Sequence, residues 1–158
     1  MNKLTQVVFT SFILLTGCAV KAPNLGIENG QLTQCPDKPN CVSSFSNNEN
    51  HYIKPIMIKG KRLEIKNDIV RIVNELKNSK VTVAENNYVR AEFTSKVFGF
   101  VDDVEFYFPE TKSKDTSVLH IRSGSRVGYS DFNVNRERIE TIRLKFETLN
   151  INGVRVID

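Results

Sequence analysis

The chain is 158 residues long, 40% hydrophobic and 25% charged, which suits one globular domain rather than two. Its formal net charge of +4 is a mild basic bias, without the Lys/Arg clustering on one element that nucleic-acid binding shows. Nucleic acid is therefore excluded as an expected partner, while anionic surfaces are weakly favoured.

The first 17 residues carry a basic start at Lys3 and an apolar run from Val7 to Leu15, softened by Thr10 and Ser11. This is the make-up of a secretory signal, and it is too short to span a bilayer. Leu15-Thr16-Gly17-Cys18 resembles a bacterial lipobox, in which cleavage leaves an acylated cysteine as the new N-terminus. The expectation is a chain lipid-anchored through Cys18, in the bacterial cell envelope. Ala19 after that cysteine, under the usual Gram-negative sorting rule, implies the outer membrane, facing the periplasm. Residues 1–17 then form the signal peptide, 18–34 a Pro-, Gly- and Asn-bearing tether, and 35–158 a single domain.

Three cysteines are an odd number for an oxidising compartment until Cys18 is assigned to lipid, which leaves Cys35 and Cys41 as a pair. Pro36 and Pro39 stiffen the short loop between them, so a disulfide is expected there. The rival is a metal pair, but two cysteines without further nearby ligands are too few for a closed zinc site. No metal and no cofactor is expected.

Ser43 to Asn50 reads as polar and irregular, and Ile53 to Ile58, broken by Pro55, as an edge or extended segment. Ile65, Ile69, Ile72, Val73 and Leu76 recur at helical spacing and predict an amphipathic helix over Arg62 to Asn78. Val81 to Val83, Tyr88 to Val97, Phe100 to Phe108 and Ser117 to Ser123 read as β, with a turn at Gly99. Ile139, Ile142, Phe146 and Leu149 mark a second helix, capped by Asn133 or Asn135, and Ile151 to Ile157 a closing extended piece. Consecutive strands between two helices predict an α+β fold, an antiparallel sheet of about four strands with two amphipathic helices packed on one face.

The densest polar stretch runs from Arg122 to Arg136 and includes Ser123, Gly124, Ser125, Arg126, Gly128, Ser130, Asp131 and Asn135. Together with Cys35-Pro36-Asp37, Pro39-Asn40-Cys41-Val42-Ser43-Ser44 and Gly99-Phe100-Val101-Asp102-Asp103-Val104-Glu105, it resembles the domain of unknown function 1499 family. The resemblance covers about Cys35 to Leu149. It implies an exported context and no established activity.

A glycine-bearing loop leading into a helix N-terminus could receive a phosphate or carboxylate, with Arg122, Arg126 or Arg136 as forks. The alternative is a structural loop whose serines and Asp131 satisfy local amides while the arginines pair with acids. Asp102 falls in phase with Phe100, Val104 and Phe106, so it needs a buried partner, for which Arg126 is the first candidate. Asp103 is in phase with Glu105 and Tyr107 on what reads as the open side, where Arg122 is the expected cross-strand partner. His51 and His120 lie in no recognisable motif. The functional expectation is a non-catalytic binding or interaction module for an anionic ligand or envelope protein, with a hydrolase acting on a lipid or cell-wall substrate as the alternative.

Overall fold

The computed structural model describes residues 21–110 and 116–152. Residues 1–17, Cys18 and the segment after 152 lie outside that range. In chain order the elements are β1 (Ile27–Glu28), β2 (Gln31–Leu32), β3 (Cys41–Ser43), β4 (Ile56–Lys59), α1 (Arg62–Glu75), β5 (Ser79–Ala84), β6 (Tyr88–Thr94), β7 (Val101–Tyr107), β8 (Thr116–Ser125) and α2 (Val134–Asn152).

The fold is α+β, but the sheet has six strands rather than about four, and β1 and β2 form a separate two-stranded sheet. The order β3-β8-β7-β6-β5 is antiparallel throughout, with β4 also on β8. The four expected β segments are β5 to β8. The two additional strands share one edge of β8, β3 against Arg122 to Gly124 and β4 against Thr116 to Leu119. Both are too short to show a period of two, so the expected irregular and edge segments conceal them.

The helix face of the sheet carries the main core. Ile65, Ile69, Ile72 and Val73 of α1 and Ile139, Ile142 and Phe146 of α2 pack with Val89, Ala91, Phe93, Val104, Phe106, Leu119 and Ile121. Fully burying one such side chain contributes roughly 1.5–3 kcal/mol. α1 stops at Glu75 rather than Asn78 because the Ser79 hydroxyl donates to the Val73 and Leu76 carbonyls at 2.5 and 2.8 Å, and Asn78 turns the chain with φ +59°. At the other end of the chain, Ile151 is still helical, so the expected closing extension does not begin there.

The opposite sheet face is not open. Leu32 is 2% exposed and packs with Tyr88, Tyr107, Phe45 and Val83, so the end of the expected tether lies on the fold rather than running free. Both faces of β7 are consequently covered, and every residue from Asp103 to Tyr107 is buried.

Candidate functional site

Alternation along β6, β7 and β8 aims Tyr88, Arg90 and Glu92, then Asp103 and Glu105, then His120 and Arg122 at the face beneath β1 and β2. Arg126, in phase with Arg122 and Gly124, joins them. It donates from Nε to Asp103 Oδ2 at 2.7 Å and from Nη2 to Asp103 Oδ1 at 2.9 Å, with a further bond to Glu92. Arg90 meets Asp103 Oδ1 from Nε at 3.1 Å and Nη2 at 2.6 Å. Asp103 thus receives two guanidinium forks, the strongest charge-assisted arrangement a carboxylate finds. Glu105, directly opposite Arg122, accepts from Arg122 Nη1 at 3.2 Å and from the Tyr88 hydroxyl at 2.8 Å.

These two acids titrate in opposite directions. Burial pushes the Asp103 carboxyl up, but hydrogen bonds from Arg126 and then Arg90 outweigh it and hold the group below the usual range. Burial also pushes up Glu105, and there the single Arg122 contact and the Tyr88 hydroxyl do not compensate. Burial, followed by the Glu105 charge, raises the Tyr88 phenol in turn. Arg122 Nε is buried without a hydrogen-bond partner, which lowers the worth of the Arg122–Glu105 pair.

A second polar cluster lies on the helix face. Asn135, fully buried, accepts from the Ser123 hydroxyl at 2.5 Å and from Arg138 Nη1 at 2.6 Å. Its Nδ2 faces the Asn40 carbonyl, the Ser125 hydroxyl and Asp131 Oδ2 at 3.1, 3.0 and 2.8 Å. Arg138 also reaches Asp102 Oδ2 at 2.6 Å and lies over the Phe93 ring. The cluster ties the disulfide segment, β8 and α2 together.

The expected partners are therefore exchanged. Asp102 pairs with Arg138, not Arg126, and Asp103 pairs with Arg90 and Arg126, not Arg122. Asp102 does face the apolar side, but Arg126 does not. Ser130 accepts from the Phe132 amide, and Asp131, rather than Asn133 or Asn135, receives the amides at the helix start, from Asn133 at 3.2 Å and Asn135 at 2.8 Å. Arg136 donates to the Tyr52 and Asn50 carbonyls at 2.8 and 2.9 Å. Sequence reasoning left out Tyr88, Arg90, Glu92, Glu105 and Arg138. Alternation along β6 was the available signal, because Tyr88, Arg90 and Glu92 fall on one face of a strand whose hairpin partner carries Asp103 and Glu105.

Cys35 and Cys41 form the expected disulfide, with an S–S distance of 2.04 Å. Gly124 lies opposite Asp103, and a Cβ there would sit 3.1 Å from Cys41 Sγ and 3.4 Å from Arg122 Nη1. A larger residue would force the disulfide and the arginine apart. His120, which the sequence left without a role, shares a 3.0 Å hydrogen bond at Nδ1 with the Ser44 hydroxyl, whose oxygen accepts the Ile121 amide at 2.9 Å. Phe45 stacks on that imidazole with ring centres 3.9 Å apart, and burial holds the His120 pKa below the ordinary value. Ser44 is 9% exposed and His120 is half-buried. Among the described residues, no three His, Cys, Asp or Glu side chains are grouped to hold a metal ion.

The most exposed apolar side chains lie at one end of the sheet. Arg126 donates its amide to the Val101 carbonyl at 3.0 Å, which sets the β6–β7 turn beside the β8–α2 loop. The turn exposes Val97, Phe98 and Phe100, with the two phenylalanine rings stacked at 5.4 Å. The loop exposes Tyr129 and Phe132, the latter at 88%. Phe132 and Asn133 both adopt left-handed backbone, φ +54° and +69°, which costs about 1–2 kcal/mol for a residue such as phenylalanine.

The profile of the family described as protein of unknown function (DUF1499) matches residues 31–146. No curated protein matches the chain.

Proposed function

The chain belongs to the family described as protein of unknown function (DUF1499), and from that premise we propose that it is a lipid-anchored, non-catalytic docking module of the bacterial cell envelope. Residues 1–17 direct export, Cys18 carries the lipid, and the segment that follows joins the anchor to the domain at the periplasmic side of the outer membrane. The support for export and anchoring is the lipobox-like Leu15-Thr16-Gly17-Cys18 and the pairing of the remaining cysteines.

One observation carries the docking reading: the chemistry-bearing residues are spent internally, while the four most exposed large apolar side chains among the described residues, Phe132, Val97, Phe98 and Tyr129, gather at one end. Arg122 and Arg126 are 8% and 7% exposed and point at Glu105 and Asp103, and Arg136 is occupied by backbone carbonyls. An anion would have to displace these partners. Val97, Phe98, Phe132 and Tyr129, by contrast, are 81%, 74%, 88% and 72% exposed and stand ready for a partner.

Thiol protection tests this. Phe98→Cys and Phe132→Cys should label with a membrane-permeant maleimide in detergent-purified protein and be protected in intact envelopes. Leu63→Cys, in the first turn of α1, should label in both. Equal labelling of positions 98 and 132 in the two settings would overturn the docking reading, and a mature wild-type N-terminus that is not Cys18, or a Cys18 without acyl mass in mass spectrometry, would overturn the anchor.

A further inference from the structure

We infer that the partner of this loop end is the lipid–water interface itself, and that the β6–β7 turn and the β8–α2 loop form a second, non-covalent membrane contact. The inference rests on the docking reading above and names its partner. Shape is the first argument. Phe98 and Val97 stand on the tip of a two-stranded turn, 74% and 81% exposed, and Phe132 projects from the adjoining loop at 88%. Convex aromatic tips suit a soft interface that closes around them, where aromatic side chains settle at headgroup depth.

Charge is the second argument. Lys96 lies in the turn, and the Thr94 amide bonded to the Asn78 carbonyl at 2.9 Å brings the Lys77 to Lys80 segment alongside it. Lys38, in the disulfide loop, approaches the same end through the Asp131 amide bonded to the Pro39 carbonyl. Lys38, Lys77, Lys80 and Lys96 are exposed there, against Asp37 and Glu75. Two neighbouring carboxylates are already neutralised within the fold, Glu92 by Arg126 and Asp102 by Arg138, while Asp131 keeps its charge at the helix start and joins Asp37 and Glu75 against the four lysines. The surplus left facing outward is positive, which favours anionic headgroups.

Anchoring makes a weak contact sufficient. A chain held by lipid at Cys18 meets the bilayer as an intramolecular partner at high effective concentration, so a few inserted aromatics would orient the domain without having to hold it there.

The chain contains no tryptophan, so one introduced residue is an unambiguous reporter. Phe98→Trp, Phe132→Trp and the control Leu63→Trp would each be purified from the envelope and reconstituted into vesicles of phosphatidylethanolamine and phosphatidylglycerol, and the floating fraction read by fluorescence. Tryptophan at positions 98 and 132 should show blue-shifted emission and quenching by brominated acyl chains, and at position 63 neither. Floating protein with water-like, unquenched emission at positions 98 and 132 overturns the lipid contact while leaving the anchor standing. The same spectra alongside thiol protection in envelopes assign the end to a protein partner and likewise overturn it. Protein that does not float at all removes both the anchor and the lipid contact.

Discussion

Deleting Arg126 is the sharpest test of the ionic face. The side chain is 7% exposed and supplies both donors that Arg90 does not give to Asp103, itself 1% exposed. In Arg126→Ala, Asp103 Oδ1 keeps the Arg90 fork, but Oδ2 loses the Arg126 Nε donor. Removing one partner of a buried pair typically costs about 3–5 kcal/mol, and the surviving Arg90 fork argues for the lower end, about 3 kcal/mol. A domain of this size commonly has about 5–15 kcal/mol in all, so the variant should fold but melt far earlier. Asp103→Asn should cost about 2 kcal/mol, because its amide turns a donor toward Arg126 Nε. In the double variant neither charge is left facing an empty place, so its loss should fall short of the sum by at least about 1 kcal/mol. Glu92→Ala, which removes the 29%-exposed second acceptor of Arg126, should cost under about 1 kcal/mol. Urea unfolding followed by far-ultraviolet circular dichroism measures all four. Losses for Asp103 and Arg126 that add to within about 0.5 kcal/mol would show that the pair does not act as a unit and refute the reasoning.

Glu105→Gln should change the pH profile of stability. Because the folded pKa of Glu105 lies above its ordinary 4.5, its contribution is complete below that pH and is lost as pH rises through the folded value. The stability of wild type relative to Glu105→Gln should therefore be greatest in acid and decline on the way to neutral pH, and a constant difference across that range would count against it. Reducing the Cys35–Cys41 bridge, whose cysteines are 6 positions apart, should destabilise the domain by about 2 kcal/mol on loop-closure entropy, with alkylation blocked until reductant is added. Two thiols alkylated without reductant would contradict it.

The longer elements were legible from periodicity because β5 to β8 and the two helices are long enough to display a period. Asp102, set among Phe100, Val104 and Phe106, announced its face. What periodicity leaves undetermined is register, which decides partners. Asp103 stands opposite Gly124 and Glu105 opposite Arg122, a two-residue displacement from the expected Asp103–Arg122 pair. Nothing local sets that offset, because β7 and β8 are joined by a connection too long to behave as a tight turn. The misplacement of Arg126 was avoidable, since Arg122, Gly124 and Arg126 share one phase of a strand. The covered reverse face was not readable at all. A two-residue strand such as β2 carries no pattern, and only its contact with Tyr88 and Tyr107 reveals that Leu32 covers that part of the face.

The order in which the N-terminal segment lies on the sheet has a mechanical consequence. A pull on the chain from its N-terminal side reaches β1 and β2 first, and these hold by one short ladder and the burial of Leu32. They would peel away and wet Tyr88 and Tyr107, next to Glu105. The load then arrives at Cys35, where the covalent link passes it directly to Cys41, hydrogen-bonded into the sheet opposite Gly124. Slack would therefore be released in one short step, the loop between the cysteines would add none to it, and tension would then fall on β3 at the edge of the sheet.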